Sequence, residues 1–181
     1  MSDTRSWVAL LRGINVGTAK RVPMAELRAA VESLGGTDVK TLLNSGNVVY
    51  DTCAEAGPSA DAIRGAVRER TGVDSEVIVV SGDAFRAVAE ACPLRAAGRP
   101  GNRVSIAFPA APLDPTSQVP DPAALAPEEL ALTATAVYQW LPDGQLATKV
   151  PAAWWRGLGV TVTARNDATV QKLVALLDAR A

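Results

Sequence analysis

Histidine is absent from all 181 residues of this chain. That absence excludes a Ser/His/Asp or Cys/His triad and any zinc site that needs imidazole. Cys53 and Cys92 are too few for a four-thiolate zinc site or a disulfide framework. We therefore predict no metal and no cofactor, lean against an enzyme, and assign no catalytic residue.

Long apolar runs are missing as well. No segment approaches the ~18 consecutive apolar residues of a membrane-spanning helix. Residues 1–6 lack the apolar core of a secretory signal. We expect a cytoplasmic protein without a membrane partner, in a compartment where two lone cysteines stay reduced.

Aromatic residues make up only 4% of the chain, and the formal net charge is −1. A sheet that binds RNA needs paired exposed aromatics and a basic field. Nucleic-acid binding is therefore kept as an alternative function that the composition disfavours. Hydrophobic residues reach 48%, which is typical of a globular protein with a sizeable core.

The first half of the chain is predicted to follow the order β-α-β-β-α-β, with one further helix. Apolar runs mark the strands, and apolar residues at helical spacing mark the helices. Asn44-Ser45-Gly46-Asn47 tolerates unusual backbone angles and predicts a hairpin turn. In chain order, the elements are a strand at 6–11, a helix at 23–34, strands at 39–43 and 48–50, a helix at 59–70, a strand at 76–80 and a short helix starting at Ser81 or Asp83.

The second half repeats this order with a proline-rich insertion at 109–127. The elements are a strand at 104–108, one helical turn at 122–125, strands at 130–133 and 136–141, a helix at 151–158, a strand at 160–163 and a helix at 167–179. We predict an α+β fold of two tandem ferredoxin-like (split βαβ) plaits, each an antiparallel sheet with helices on one face. Their limits are 1–95 for the first plait and 96–181 for the second plait with the C-terminal helix.

The loop from Arg12 to Arg21 is the main candidate site. Residues 4–25 hold no carboxylate, and their cations are Arg5, Arg12, Lys20 and Arg21. Gly13 and Gly17 allow close backbone approach, Asn15 adds a side-chain donor, and the following helix offers its N–H end. The spacing matches neither the P-loop nor the dinucleotide fingerprint. The alternative is a solvated loop in which the glycines serve turns and Arg12 pairs with a distant acid.

Two further segments carry candidate polar groups. Arg165 and Asn166 lie where a strand gives way to a helix, and the alternative is simple capping by Asn166 or Asp167. Ser45 and Asn47 could bond a ligand held by the first loop. The alternative for this pair is turn chemistry alone.

Other residues suggest other classes of function. Trp154 and Trp155 are adjacent on a short helix, so we predict that both cannot face inward and that one marks a partner surface. A self-associating structural or regulatory protein, such as a homodimer, is therefore a further alternative. Acid-base catalysis is the weakest alternative because its candidate carboxylates are scattered: Asp51, Glu55, Asp143 and Asp167.

Four segments resemble the bacterial domain-of-unknown-function family DUF1697. They are Leu11–Gly17, Val22–Leu27, Asn44–Val49 and Thr163–Asn166. The resemblance implies two ferredoxin-like plaits in tandem and no established activity. The chain departs from the family pattern at Thr18, where a second glycine is usual, and at Asp167-Ala168, where an aromatic and a polar residue are usual. A ligand role that needs a stacking ring at the second position is therefore in doubt.

The leading hypothesis is a binding module for a small anionic metabolite that bears a phosphate or a carboxylate. Arginine suits such a ligand because its planar fork engages oxyanions through two hydrogen bonds. The candidate ligand-binding residues are Arg12, Gly13, Asn15, Gly17, Lys20, Ser45, Asn47, Arg165 and Asn166.

Overall fold

The computed structural model describes residues 4–53 and 57–180. They form two compact units, Met1–Arg86 with Leu173–Ala181 and Ala87–Lys172. The domain limits 1–95 and 96–181 stay a prediction, and Glu55 lies outside the described residues. None of the described helices combines the length and the apolar character that crossing a membrane requires.

The first seven elements confirm the predicted order. They are β1 (Arg5–Leu11), α1 (Met24–Ser33), β2 (Thr37–Leu42), β3 (Asn47–Thr52), α2 (Ala60–Thr71), β4 (Val77–Ser81) and α3 (Gly82–Glu90). The strands form one sheet in the order β2-β3-β1-β4, and every neighbouring pair is antiparallel. Because β3 lies between β1 and β2, this is the split βαβ arrangement.

Helices α1 and α2 cover one face of this sheet. Leu27 and Val31 of α1 and Ile63 of α2 are fully buried in a cluster with Ala9 and Leu11 of β1. The two ends of α2 are capped. The Ser59 hydroxyl accepts the Ala62 N–H at 3.1 Å at the start, and Gly72 ends the helix in the left-handed conformation.

The central strands of the first sheet are buried on both faces. Val8–Leu11 of β1 and Val48–Tyr50 of β3 each have 0% of their surface exposed. Successive side chains of a strand point to opposite faces, so neither face of these strands is open to solvent.

The second sheet repeats the first in topology. Its elements are β5 (Val104–Pro109), α4 (Pro122–Leu125), β6 (Glu129–Leu132), β7 (Val137–Trp140), α5 (Ala152–Gly157), β8 (Val162–Asn166) and α6 (Asp167–Asp178). The strand order is β6-β7-β5-β8, again antiparallel throughout. The predicted α+β fold with two tandem antiparallel plaits is confirmed.

The last strand lies further along the chain than predicted. Strand β8 pairs with β5 from Val162, opposite Pro109, to Asn166, opposite Ser105. Arg165 is therefore a strand residue, and Asn166 directly precedes α6.

The two adjacent tryptophans correct another expectation. Trp154 and Trp155 both pack against the buried cluster of Ala107, Leu113 and Val137. Their rings meet edge to face, with centroids 5.0 Å apart. The prediction that both could not face inward is wrong because the second ring packs on the edge of the first. Both rings are only partly buried, and self-association stays a prediction.

Candidate functional site

The loop that follows β1 is folded tightly around Asn15. The backbone N–H of Asn15 donates to the Lys20 carbonyl at 3.0 Å. Its side-chain Nδ2 donates to the Val22 carbonyl, and its Oδ1 accepts the Val22 N–H, both at 2.9 Å. Asn15 has a φ of 55°, a left-handed conformation that asparagine tolerates better than most residues. Asn15 therefore shapes the loop from within.

The same side chain ties the loop to the hairpin turn between β2 and β3. Asn15 Nδ2 also donates to the Asn44 carbonyl at 2.7 Å, so both of its amide hydrogens are used inside the protein. The Leu11 N–H donates to the Gly46 carbonyl at 2.8 Å. A Cβ at Gly46 would lie only 2.7 Å from the Leu11 Cβ, so this close approach requires glycine. The structure thus brings the first loop and the turn together.

A cleft of about 350 Å³ opens beside this junction. Its lining residues are Asn15, Arg21, Val22, Pro23, Met24 and Asn44. The cleft lies at the start of α1, where Pro23 provides no side-chain hydrogen bond to cap the helix. The N-terminal end of a helix carries partial positive charge and unpaired N–H groups that favour anions.

The three cations of the loop differ in their surroundings. Arg12 Nη1 lies 3.0 Å from Glu76 Oε2, with 55% and 42% of the two side chains exposed. Arg12 therefore pairs with an acid far along the chain, which is the alternative that the sequence left open for it. Lys20 is exposed. Its charge helps to lower the pKa of the Asp74 carboxyl, although the hydrogen bond from Arg64 lowers that pKa more.

Arg21 is the cation best placed for a ligand. It is exposed, lines the cleft, and forms no ion pair or hydrogen bond with any residue of 4–53 or 57–180. Arg21 is among the loop cations counted from the sequence but not among the predicted ligand-binding residues.

The polar side chains of the turn serve the turn itself. Asn47 is fully buried, and its Nδ2 donates to the Leu42 carbonyl and to Ser45 Oγ, each at 2.9 Å. Ser45 is exposed. The contacts of this pair are those expected from turn chemistry.

Arg165 and Asn166 belong to the second unit. Asn166 Oδ1 accepts the Thr169 N–H at 2.9 Å and so caps α6. Arg165 Nη1 donates to Thr163 Oγ1 at 3.0 Å and to the Ala164 carbonyl at 2.8 Å. Burial lowers the pKa of Arg165 to about 10. A ligand role for either residue stays a prediction.

Two of the four candidate carboxylates for acid-base chemistry, Asp51 and Asp167, are engaged by other side chains. Asp51 accepts the Ser6 hydroxyl at 2.6 Å and lies 3.0 Å from Arg180 Nη1. Asp167 accepts two hydrogen bonds from Arg95, at 2.8 and 2.6 Å. Within residues 4–53 and 57–180, no three carboxylates or thiols are grouped closely enough to hold a metal ion.

A larger cleft of about 530 Å³ is a weaker candidate for an anion. Arg86 and Arg180 line it, but Arg86 pairs with Asp83 at 3.1 Å and Asp178 at 2.9 Å. Arg180 is almost fully buried against Asp51. Because carboxylates already balance these guanidinium groups, the cleft beside Arg21 offers the less neutralised charge.

By its fold, the chain is an α+β protein built from two ferredoxin-like plaits. The family described as "Protein of unknown function (DUF1697)" matches residues 4–138, and the chain belongs to this family. The segment Thr163–Asn166 lies beyond the matched residues, so its part in the resemblance stays a prediction.

A solved structure shares this fold. It is that of a conserved bacterial protein from Streptococcus pneumoniae, 22% identical, with a TM-score of 0.62 over 97% of this chain and 99% of that chain. At this identity the likeness concerns the fold alone. No curated protein matches the sequence.

Proposed function

We propose that this protein binds a small anionic metabolite, bearing a phosphate or a carboxylate, in the cleft at the start of α1. One observation carries the proposal: Arg21 lines that cleft without a partner among the described residues, beside the uncapped end of a ten-residue helix. A guanidinium group and helix N–H groups together favour a bound oxyanion.

The local charge supports this function. No carboxylate occurs in residues 4–25. The first acidic residue of α1, Glu26, is drawn toward Arg70, whose Nη1 lies 3.5 Å from Glu26 Oε2. That contact partly neutralises the carboxylate nearest in sequence to the cleft.

The shape of the loop supports it as well. Asn15 fixes the loop to Val22 and Asn44 through three side-chain hydrogen bonds. A site that is ordered before binding loses less entropy when the ligand arrives. We assign Arg21 to ligand contact, Asn15 to positioning, and Arg12 and Lys20 to the surrounding positive potential.

The composition disfavours nucleic-acid binding, and the burial of the central strands is a second argument against it. A ferredoxin-like RNA platform stacks bases on an exposed sheet face. Here the central strands β1 and β3 are buried on both faces along Val8–Leu11 and Val48–Tyr50.

A thermal-shift screen tests the proposal. Inorganic phosphate, sugar phosphates, nucleoside monophosphates and di- and tricarboxylates are titrated against the wild type, and we expect at least one class to stabilise it by mass action. Arg21→Gln should weaken that response about tenfold or more, since a charged hydrogen bond contributes about 1.5–3 kcal/mol.

The matched control is Arg68→Gln. Arg68 is an exposed arginine of α2 that does not line the cleft, so its loss changes the net charge equally. We expect Arg68→Gln to respond like the wild type. Equal weakening by the two substitutions, or no stabilisation of the wild type by any anion, would contradict the proposal.

A further inference from the structure

Strand β2 contains a bulge near its start. Its register against β3 shifts between Thr37 and Lys40. Two residues of β2, Asp38 and Val39, therefore lie opposite Tyr50 alone. Asp38 has a φ of 44°, in the left-handed region where a bulge of this kind usually has glycine. Aspartate tolerates that conformation better than most residues do, but it is still less favourable there than glycine.

The guanidinium group of Arg180 lies at this bulge. Its Nη2 donates to the Asp38 carbonyl of β2 at 2.6 Å and to the Val49 carbonyl of β3 at 3.4 Å, so one group bonds both strands. Its Nη1 lies 3.2 Å from Asp38 Oδ2 and 3.0 Å from Asp51 Oδ1. The Arg180 side chain is only 3% exposed. Asp38 thus offers Arg180 both a carbonyl and a carboxylate, and glycine would offer only the carbonyl.

Arg180 joins two parts of the first unit that are weakly held by their own backbone bonds. Strand β2 is at the edge of its sheet, and Arg180 follows the C-terminal end of α6. Helix ends and edge strands are common places for local opening of a folded protein. The same C-terminal segment, Leu173–Ala181, has a second anchor in Asp178, which lies 2.9 Å from Arg86 of α3.

We infer that the contacts of Arg180 with Asp38, Val49 and Asp51, which we call the Arg180 latch, control the opening of β2. Strand β2 and the residues that follow α6 open and close together, while β1 and β4 stay paired. When the latch opens, the Asp51 carboxylate, only 14% exposed, loses the cation that faces it. The C-terminal end of α6 thereby determines how firmly an edge strand 142 positions earlier in the chain is held.

Hydrogen exchange measured by mass spectrometry tests the latch under native conditions. In Arg180→Leu, the amides of β2 should exchange about tenfold faster or more, because a nearly buried carboxylate is left without its cation. The amides of β1 and β4, which pair with each other, should keep wild-type rates. Arg180→Lys keeps the charge but lacks the planar fork, so its β2 exchange should lie between those of the wild type and Arg180→Leu.

A change on β2 tests the coupling from the other side. Asp38→Asn keeps a residue that tolerates φ of 44° and removes one carboxylate of the latch. Coupling between two sites is reciprocal, so this variant should also speed exchange at Ala179 and Arg180. Their N–H groups donate to the carbonyls of Ala175 and Leu177 and not to β2, so a purely local effect of Asp38→Asn would leave them unchanged.

Arg86→Leu is the matched control. It removes the other anchor of the C-terminal segment, through Asp178 rather than through β2, and should leave β2 exchange within about twofold of the wild type. An equal rise across β1, β2 and β4 in Arg180→Leu would overturn the latch, as would unchanged exchange of β2 or an equal effect of Arg86→Leu. If Arg180→Leu does not fold, Arg180→Lys and Asp38→Asn decide the question by the same comparison of strands.

Discussion

The two plaits share a strand order but differ in the segment that connects the first strand of each to the next helix. After β1, a glycine-containing cationic loop leads into α1, a helix of ten residues. After β5, a proline-rich segment leads into α4, which has four residues. Helix α1, after the first connection, is long enough to develop a helix dipole, whereas the four-residue helix α4 is not.

Both units contain paired arginines, and Arg21 at the first connection differs from them. In the second unit, Arg95 is bound to Asp167, and Arg99 binds Glu129 while its guanidinium lies 4.9 Å from the Trp140 ring centroid. In the first unit, Arg21 has no such partner among the described residues. One topology thus carries two different sets of side chains, and the candidate site depends on those side chains rather than on the fold.

The largest effect is expected from removing the contact between the first loop and the turn. In Gly46→Ala, the new Cβ would meet Leu11 and Ile14 at 2.7 and 3.0 Å, in a backbone with φ of 78°. We expect a loss of about 3 kcal/mol in the free energy of unfolding and a loss of the anion response. Urea denaturation and thermal shift measure the two quantities.

Gly72→Ala is the matched control for that change. Gly72 also has a positive φ, of 71°, but a Cβ there would meet nothing within 4 Å. It should lose about 1 kcal/mol and keep the anion response. If the two variants lose equal stability, close packing of the turn on the loop is not what Gly46 provides.

A smaller loss is expected from releasing a bound arginine of the second unit. Arg95→Ala removes the two hydrogen bonds to Asp167, whose side chain is only 5% exposed. We expect a cost of about 2 kcal/mol, below that of a fully buried pair because Arg95 is one-third exposed. The anion response should be unchanged; a variant that lost it would remove the contrast between the two units.

The same pair sets a pH dependence. Burial raises the pKa of Asp167, but the hydrogen bonds from Arg95 and Gln171 outweigh burial and lower it below its ordinary value. A lowered pKa stabilises the fold above the ordinary pKa, and this stability is lost as the pH falls through the lowered value. The stability gap between wild type and Arg95→Ala should therefore be widest near about pH 7 and shrink toward about pH 3. A gap that stays constant would show that the ion pair is not its source.

The smallest effect is expected at Arg12. Its pair with Glu76 is exposed at both ends, so Arg12→Gln should change the free energy of unfolding by less than about 1 kcal/mol. The anion affinity should fall less than in Arg21→Gln, because we assign Arg12 only to the surrounding positive potential. If Arg12→Gln weakens binding more than Arg21→Gln does, the roles of the two arginines must be exchanged.

The element order could be predicted from the sequence because local patterns specify it. The hairpin is a clear case, since Asn44–Asn47 is a run of turn-forming residues between two apolar segments. Its exact place could not be predicted. The turn begins at Leu43, a residue that disfavours the left-handed conformation. Asn47 is the first residue of β3, and its side-chain Nδ2 donates to the Leu42 carbonyl.

The ranking of the site residues depended on distant parts of the chain. The sequence does not show which of Arg12 and Arg21 is paired. In the fold, Glu76, which lies 64 positions after Arg12, pairs with Arg12 and not with Arg21. Asn15 looked like a free donor, and only the fold brings the Asn44 carbonyl to it. Likewise, Val160 and Thr161 fit a strand pattern, yet pairing with β5 begins at Val162.

The shape of the first loop depends on the carboxamide of Asn15. Hydrolysis of the Asn15 amide to a carboxylate would replace its –NH₂ by an oxygen facing the carbonyls of Val22 and Asn44. Two attractions would become repulsions, and a negative charge would appear among the loop cations. We therefore expect slow deamidation of Asn15 during storage to weaken the proposed anion binding, and mass spectrometry would detect it as a small gain in mass.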